Sequence, residues 1–192
     1  VNLSDKKLYA AFCKDKETRN NGSSGGAFEC IARYCLENDY YICGAAFDKE
    51  LKLKHKIVND PAHLSPLLKS KYIQSDTEGI FEKITELLKT GNKVLFCGTP
   101  CQVSALKNCL GEKHLELLIT IDIICHGVPS QTMFDDYIKT LGKKVSHFSF
   151  RVKDNKYKHP HGYSYTDNQN KTVNGIYTDS SFYNAFKNYS IF

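Results

Sequence analysis

Three cysteines stand at the ends of apolar segments and are the residues most able to do chemistry. Cys97 and Cys101 flank the turn at residues 98–100, and Cys125 follows the apolar run that begins at Leu117. In a reducing compartment, thiols in such positions bind metal or carry out redox reactions more often than they form disulfides. These cysteines are therefore the first candidates for a functional site.

Several kinds of site fit these thiols. A zinc site needs four nitrogen or sulfur ligands, which Cys97, Cys101, Cys125 and His126 could supply, although the adjacent residues 125 and 126 point in different directions at a strand end. An iron–sulfur cluster needs thiolates gathered in a loop-rich region, and this set is one or two thiolates short. A redox pair of Cys97 and Cys101 would span a turn with proline, which is not the usual geometry. A cluster, zinc and the absence of metal stay open.

The elements that position these residues are typical of an α/β protein. An apolar run that leads through a tight turn into a helical pattern places a loop at the carboxyl end of a strand, where ligands bind. Residues 94–96 predict a strand followed by a helix to about residue 110. Residues 117–124 are almost continuously apolar, which predicts a strand buried on both faces before a helix over 131–141. If the two strands are parallel neighbours, Cys101 and Cys125 converge.

A Gly/Ser loop upstream is a candidate anion site. Ser23, Ser24, Gly25 and Gly26 lead directly into an amphipathic helix predicted over 27–37. Small residues at a helix N-terminus expose backbone N–H groups at the positive end of the helix dipole, which suits a phosphate. An ordinary turn that caps a helix fits the same residues equally well. The loop is not a Walker motif, because the Gly-Lys-Ser/Thr ending is absent.

The connection at residues 69–76 is a second candidate. It holds two lysines, one of them Lys71, together with serine, tyrosine and glutamine. These side chains could bind a phosphate or a ring carbonyl. The alternative is that the connection is a loop with a purely structural role.

The remaining pattern completes the predicted fold, an α/β domain with a mixed sheet and helices on its faces. We expect a core domain over residues 1–152 and a Tyr/His/Asn-rich segment over 153–192 that packs on it. Within them the sequence predicts a polar loop at 14–21, helices over 60–68, 76–88 and from residue 180, and strands over 8–12, 40–47, 51–58, 145–152, 163–166 and 172–178.

Composition narrows the classes of function. The 192 residues are 41% hydrophobic and 24% charged, with a net charge of +5 spread over scattered lysines. This charge mildly favours anionic ligands or is simply a solvated surface, and no nucleic-acid motif accompanies it. No apolar run approaches the roughly 20 residues of a membrane span, so we expect a cytoplasmic protein. The first residue is not methionine, which suggests a piece of a longer protein.

The other five cysteines predict packing rather than chemistry. They lie within or at the end of apolar patterns and are interpreted as small buried hydrophobic residues, namely Cys13, Cys30, Cys35, Cys43 and Cys109.

Together, four motifs resemble the coenzyme F420 hydrogenase/dehydrogenase beta-subunit family. They are the Ser-Ser-Gly-Gly loop at 23–26, Ser-Lys-Tyr-Ile-Gln-Ser at 70–75, Gly-Thr-Pro-Cys-Gln at 98–102 and Cys-His-Gly-Val-Pro-Ser at 125–130. The last two are the specific ones. The family often begins with a ferredoxin-like segment and continues with a further cysteine-containing segment, so the resemblance implies truncation at one or both ends.

The resemblance implies FAD and a 4Fe–4S cluster as cofactors. Cys101 and Cys125 are expected to be cluster ligands, in a set that this chain leaves incomplete. Cys97 stands where the family does not require a cysteine and is kept as a third candidate ligand. Since the cofactors carry the chemistry, no side chain is expected to be catalytic. The residues expected at the flavin site are Ser23, Ser24, Gly25, Gly26, Lys71, Gly98, Thr99 and Pro100. His126 is a candidate hydrogen-bond donor to cofactor or cluster, and a structural role is the alternative.

The predicted function follows from these cofactors. The chain is expected to be an oxidoreductase subunit that moves electrons between a two-electron donor, deazaflavin or another small molecule, and a redox partner protein or ferredoxin-like segment. Two alternatives stay open, a cofactor-free scaffold or partner-binding domain associated with surface-polysaccharide synthesis and a zinc-binding protein.

Overall fold

A computed structural model describes residues 7–153 and 162–188 of the chain. Within them, the chain forms six α-helices and seven β-strands. Helices and strands are interspersed as far as α5, and the segment that follows is mainly β. Short 3-10 turns connect several of them. The elements are α1 (Lys16–Asn21), α2 (Ala27–Glu37), β1 (Tyr40–Phe47), β2 (Leu53–Val58), α3 (Ile80–Lys89), β3 (Lys93–Gly98), α4 (Pro100–Leu110), β4 (Leu118–Asp122), α5 (Gln131–Thr140), β5 (Val145–Val152), β6 (Gly162–Asp167), β7 (Thr172–Ile176) and α6 (Ser181–Lys187).

The first sheet is mixed, as predicted. Its strand order is β2-β1-β3-β4, in which β1, β3 and β4 run parallel and β2 pairs antiparallel with β1 as a hairpin. The strands that lead to Cys101 and Cys125 are therefore parallel neighbours. Their carboxyl ends are in register, with Gly98 opposite Asp122.

Helices cover both faces of this sheet because its two central strands, β1 and β3, have apolar side chains on both faces. On one face, α3 and α4 pack on Val94 and Phe96. On the other face, α2 and the 3-10 turns at Pro61–His63 and Ser65–Leu67 pack on Ile42 and Leu95. The structure thus confirms the α/β class.

A second, antiparallel sheet with the order β5-β6-β7 follows the first. Its apolar face forms an aromatic core with α5 and α6, built around Phe134, Phe148 and Phe150. Leu51 and Leu53 of the β1–β2 hairpin belong to the same core. The division of the chain at residue 152 stays a prediction, and residues 154–161 lie outside the described residues.

Three predicted elements are wrong. Residues 8–12 form no strand, and Leu8 and Phe12 are mostly exposed. The predicted loop at 14–21 contains the helix α1, whose N-terminus is capped by Asp15 through a 2.7 Å bond from the Thr18 N–H. The strand β4 is not buried on both faces, since it lies at the edge of the sheet formed by the described residues and Ile119 is 39% exposed.

The cysteines also depart in part from their prediction. Cys35 and Cys43 are buried as expected, whereas Cys109 is exposed on α4. Cys13 and Cys30 form a disulfide, a pairing that their apolar surroundings did not indicate. Among the described residues, no helix has the length and hydropathy needed to cross a membrane.

Candidate functional site

The candidate site lies at the carboxyl edge of the parallel strands. The chain leaves β3 at Gly98 and β4 at Asp122, and a bond of 3.0 Å from the Ile123 N–H to the Gly98 carbonyl keeps the two exits together. Cys101 and Cys125 each follow three residues later, and both are exposed. The parallel pairing that their convergence requires is present.

The turn between β3 and α4 is a rigid wall of this edge. The backbone N–H of Thr99 donates to Gln102 Oε1 at 3.0 Å, which forms part of a capping box, and Pro100 begins the helix. Gln102 Nε2 in turn donates to Ser75 Oγ at 2.9 Å. At Gly98 a Cβ would lie 2.9 Å from the Phe96 ring, so the strand end admits no side chain.

The Ser/Gly loop reaches the same region through the connection at residues 69–76. Ser23 Oγ accepts a 2.6 Å hydrogen bond from the Ser70 N–H, which brings the predicted phosphate loop beside Lys71. Gly26 has φ +74° and is the N-cap of α2, where no side chain caps the helix. The Gly25 carbonyl accepts from the Cys13 N–H at 2.7 Å, and Lys153 donates to the Ser24 carbonyl.

The disulfide closes this loop from outside. Cys13 precedes the loop and Cys30 lies in the first turns of α2, so the cross-link encloses residues 23–26 within a sequence separation of 17. A cross-link of this kind restricts the freedom of the segment between its ends. It adds a covalent restraint to the three hydrogen bonds that hold the loop.

Lys71 stands between this loop and the end of β3. Its Nζ donates to the carbonyls of Pro66 at 2.9 Å and Leu68 at 2.6 Å. Burial lowers the pKa of Lys71 to about 7, Lys69 acts in the same direction, and Cys97 opposes it. A cation held in this way is poorly solvated, and an anion would stabilise it.

Cys97 differs from the other two candidate ligands. Burial raises the pKa of its thiol to about 11, with Asp122 acting in the same direction and Lys71 opposing it. Metal ligation uses the thiolate, so the surroundings of Cys97 favour an uncharged thiol beside Lys71. Thr99 Oγ1 and Cys101 Sγ, by contrast, lie 3.0 Å apart at the exposed start of α4.

His126 reaches this region through aromatic contacts. Its ring centroid lies 4.9 Å from that of Phe186 on α6, and Phe186 lies 5.1 Å from Tyr72, the neighbour of Lys71. The predicted flavin-site residues thus line one edge of the sheet, although they come from four separate segments of the chain.

A buried histidine that the sequence did not single out joins this group. His55 is 4% exposed, stacks on Phe96 and lies with Nε2 3.1 Å from the Cys97 carbonyl oxygen. A carbonyl can only accept, so Nε2 carries the proton and Nδ1 is the acceptor. Nδ1 is buried and has no hydrogen-bond partner among the described residues. The alternation Leu53, His55, Ile57 on the inward face of β2 is the signal that could have found it.

Burial lowers the pKa of His55 below its ordinary value of 6.5; Lys71 adds to this effect, and the Cys97 carbonyl and Asp76 oppose it. The unfolded chain therefore binds more protons than the folded one just below pH 6.5. We expect the free energy of unfolding to fall as the pH drops through this window, and His55→Gln to remove part of that fall. Urea unfolding of the parent protein and of His55→Gln at pH values from 5 to 8 measures this dependence of the free energy of unfolding on pH.

His63, which is exposed, provides the matched control for this experiment. His63→Gln should keep the pH dependence of the parent protein. An equal slope in the parent protein and in His55→Gln would contradict the assignment of the acid sensitivity to His55.

No group of three or more His, Cys, Asp or Glu side chains in residues 7–153 and 162–188 is arranged to hold a metal ion. The part of the chain that the structure describes thus does not by itself provide the ligand set of a zinc site or of a 4Fe–4S cluster. Cys101 and Cys125 can at most supply part of such a set.

Comparison with known proteins supports the family resemblance. Residues 91–181 match the family described as the C terminus of the coenzyme F420 hydrogenase/dehydrogenase beta subunit. This match contains both specific cysteine motifs and confirms the resemblance that they carry. No curated protein sequence matches the chain.

Solved structures give a second comparison. A chain in the xenon-derivatised F420-reducing NiFe hydrogenase complex from Methanosarcina barkeri is similar, with a TM-score of 0.59 and 16% sequence identity. The similarity covers 90% of this chain and 60% of that chain. At this identity the comparison establishes a shared fold, and this chain spans less than two thirds of the length of the neighbour.

Proposed function

We propose that the chain is the flavin-binding part of an oxidoreductase subunit that transfers electrons between a two-electron donor and a redox partner protein. The observation that carries the proposal is the contact of Ser23 Oγ with the Ser70 N–H, which joins two loops that are distant in sequence beside Lys71. The family match over residues 91–181 and the fold shared with a hydrogenase chain support it. The proposal includes a cytoplasmic location.

The residues at this edge fit FAD. The uncapped N-terminus of α2 at Gly26 and the ammonium group of Lys71 suit a diphosphate. The rigid turn Gly98-Thr99-Pro100 and the ring of His126 suit the sides of a flat ring system. When bound, FAD would accept a hydride from the donor and pass the two electrons on one at a time.

The chain's own residues would bind and orient the cofactor. Ser24 and Gly25 would present backbone groups to the diphosphate, while Ser23 is already engaged in fixing the loop. The buried side of the site excludes water, because Phe96 and His55 fill the space beneath the end of β3. We assign no nucleophile or general base.

The colour of the protein tests the proposal. Protein purified without oxygen should show a flavin absorption band at about 450 nm. Broad absorbance at about 400 nm should accompany it where a cluster is also present. A well-folded, colourless protein that takes up neither FAD nor iron and sulfide would overturn it. That outcome would favour the scaffold function.

For the cluster, the proposal is narrower. Cys101 and Cys125 would provide two thiolates, and the other ligands would come from outside the described residues. Cys101→Ala or Cys125→Ala should abolish uptake of iron and sulfide during reconstitution, as measured by metal and labile-sulfide analysis of the full-length protein. Cys109, an exposed cysteine on α4, gives the matched control, since Cys109→Ala should reconstitute normally.

Normal iron content in the Cys101 or Cys125 variant would refute the ligand assignment and leave the flavin proposal standing. Zinc in place of iron in the parent protein would favour the zinc-binding alternative.

A further inference from the structure

A cleft with a volume of about 740 Å³ lies between the first sheet and the second. Its walls come from the β1–β2 hairpin, from residues 65–71 and from the polar face of β5 and β6. Sites for small molecules commonly have volumes of about 300–1,000 Å³. The cleft shares Lys71 with the candidate flavin site, but most of its lining belongs to other residues.

The lining of the cleft carries an excess of positive charge. Four lysines line it, Lys49, Lys56, Lys69 and Lys71, together with one acidic residue, Asp48. None of the four forms an ion pair with another described residue. Lys56 and Lys71 are instead tethered through Nζ to backbone carbonyls, at 3.3 Å for Phe47 and 2.6 Å for Leu68.

Asp48 does not neutralise these lysines. Its Oδ1 accepts the backbone N–H groups of Glu50 and Lys52, each at 2.9 Å, and its Oδ2 lies 3.4 Å from Lys54 Nζ. Because the hairpin turn and Lys54 already occupy this carboxylate, the four lysines of the cleft lack a counter-charge within the described residues.

The opposite wall provides hydroxyl groups. Ser149 on β5 and Ser164 on β6 are paired in register, and His147 and Thr166 form the next such pair along the strands. All four line the cleft. The hydroxyl oxygen of Ser149 is buried and has no hydrogen-bond partner among the described residues. A buried hydroxyl without a partner is costly, and a polar ligand atom in the cleft would satisfy it.

Apolar and aromatic side chains form the rest of the lining. Phe47, Leu68, Phe148 and Tyr165 contribute to it, and Phe148 and Tyr165 belong to the aromatic core beneath the second sheet. The cleft therefore combines cations and hydroxyls, which suit a phosphate, with rings and aliphatic groups, which suit a flat heterocycle.

We propose that the inter-sheet cleft binds a nucleotide, with the phosphates on Lys49, Lys69 and the Ser149 hydroxyl and the base against Phe47 and Leu68. This ligand is additional to the flavin, and the proposal does not require the flavin site to be correct. The shared loop at residues 65–71 would bring the nucleotide close to Lys71 and so to the end of β3.

Isothermal titration with ADP, using the chain as purified, tests the proposal. The parent protein should bind one ADP per chain. The double variant Lys49→Gln/Lys69→Gln should weaken binding at least about tenfold because two charge-assisted contacts are lost. Ser149→Ala should weaken it about fivefold through loss of a hydrogen bond. Lys107→Gln, which removes a positive charge from the exposed face of α4, should bind as the parent does.

Two further probes separate the possible ligands. Inorganic pyrophosphate should bind more weakly than ADP, since it lacks the base, and so should glucose 1-phosphate. Equal affinity for ADP and pyrophosphate would overturn the assignment to a nucleotide, and tighter binding of glucose 1-phosphate would do the same.

The assignment of the site would be overturned if ADP gave no heat of binding, or if the cleft variants bound ADP as tightly as the parent protein does. It would also be overturned if Lys107→Gln weakened ADP binding as much as the cleft variants do. Release of bound FAD by ADP would also overturn it, because the cleft would then be part of the cofactor site. A protein that binds ADP in the cleft but never takes up FAD would refute the proposed function alone.

Discussion

Replacing Phe150 by alanine is expected to lower the free energy of unfolding by about 3–5 kcal/mol, the usual cost of removing a buried phenylalanine ring. Phe150 is fully buried, and its ring centroid lies 5.3 Å from that of Phe134 and 4.8 Å from that of Phe148. It also stacks on Phe47 at 6.2 Å. The loss should therefore affect both sheets, because Phe47 belongs to β1.

Urea unfolding measures this loss, and Phe12→Ala is the matched control. Phe12 is 66% exposed, so its truncation should cost less than about 1 kcal/mol. We expect a single transition for Phe150→Ala at a lower urea midpoint. A loss below about 1 kcal/mol, or a separate transition for the second sheet, would contradict the role given to this ring.

Replacing Gly26 by valine is expected to abolish FAD binding. Gly26 has φ +74°, which a β-branched residue adopts only with strain of about 1–3 kcal/mol. A Cβ there would also lie 3.1 Å from the Thr18 carbonyl oxygen and 3.2 Å from Cys13 Cβ. The loop at residues 23–26 would have to move, and we expect at least about a hundredfold loss of affinity, equivalent to about 3 kcal/mol.

Gly79 offers a closely matched control for this substitution. It is also the N-cap of a helix, with φ +67°, but a Cβ at Gly79 would have no atom within 4 Å. Gly79→Val should therefore carry similar backbone strain and retain its flavin after gel filtration. Should Gly26→Val fail to fold, Gly26→Ala with its smaller side chain gives the same comparison. Equal FAD retention in the Gly26 and Gly79 variants would argue against a role of the loop at residues 23–26 in binding FAD.

Local pattern predicted much of the fold. The apolar run before Cys97 correctly indicated a central strand, and the Thr99–Pro100 turn correctly indicated the start of α4. The hairpin of β6 and β7 and the helix that Ser180 caps were also predicted, because alternation and capping are local signals.

Two of the three errors arise where tertiary context decides. Residues 117–124 have the composition of a central strand, but strand order is not a local property, and β4 lies at the edge. Residues 8–12 are apolar but have no strand to pair with among the described residues. The capping residue Asp15 was a local signal for α1 that the polar composition of the helix obscured.

Less of the candidate site could be predicted. The Ser/Gly loop, Lys71 and the Thr99 turn were identified from their residue types, but their proximity depends on contacts such as that between Ser23 and Ser70. The disulfide between Cys13 and Cys30 joins two apolar segments, and sequence spacing does not determine such pairings. The inter-sheet cleft, likewise, exists only through the packing of one sheet against the other.

Titration of flavin-free protein with FAD tests the central claim most directly. The flavin is excited by visible light that the chain's own side chains do not absorb, so its fluorescence can be followed directly. The change in flavin fluorescence should saturate at one FAD per chain in the parent protein and in Gly79→Val, and be lost in Gly26→Val. A folded parent protein that leaves the flavin fluorescence unchanged, or a Gly26 variant that saturates like the parent, would contradict a flavin site at this edge of the sheet.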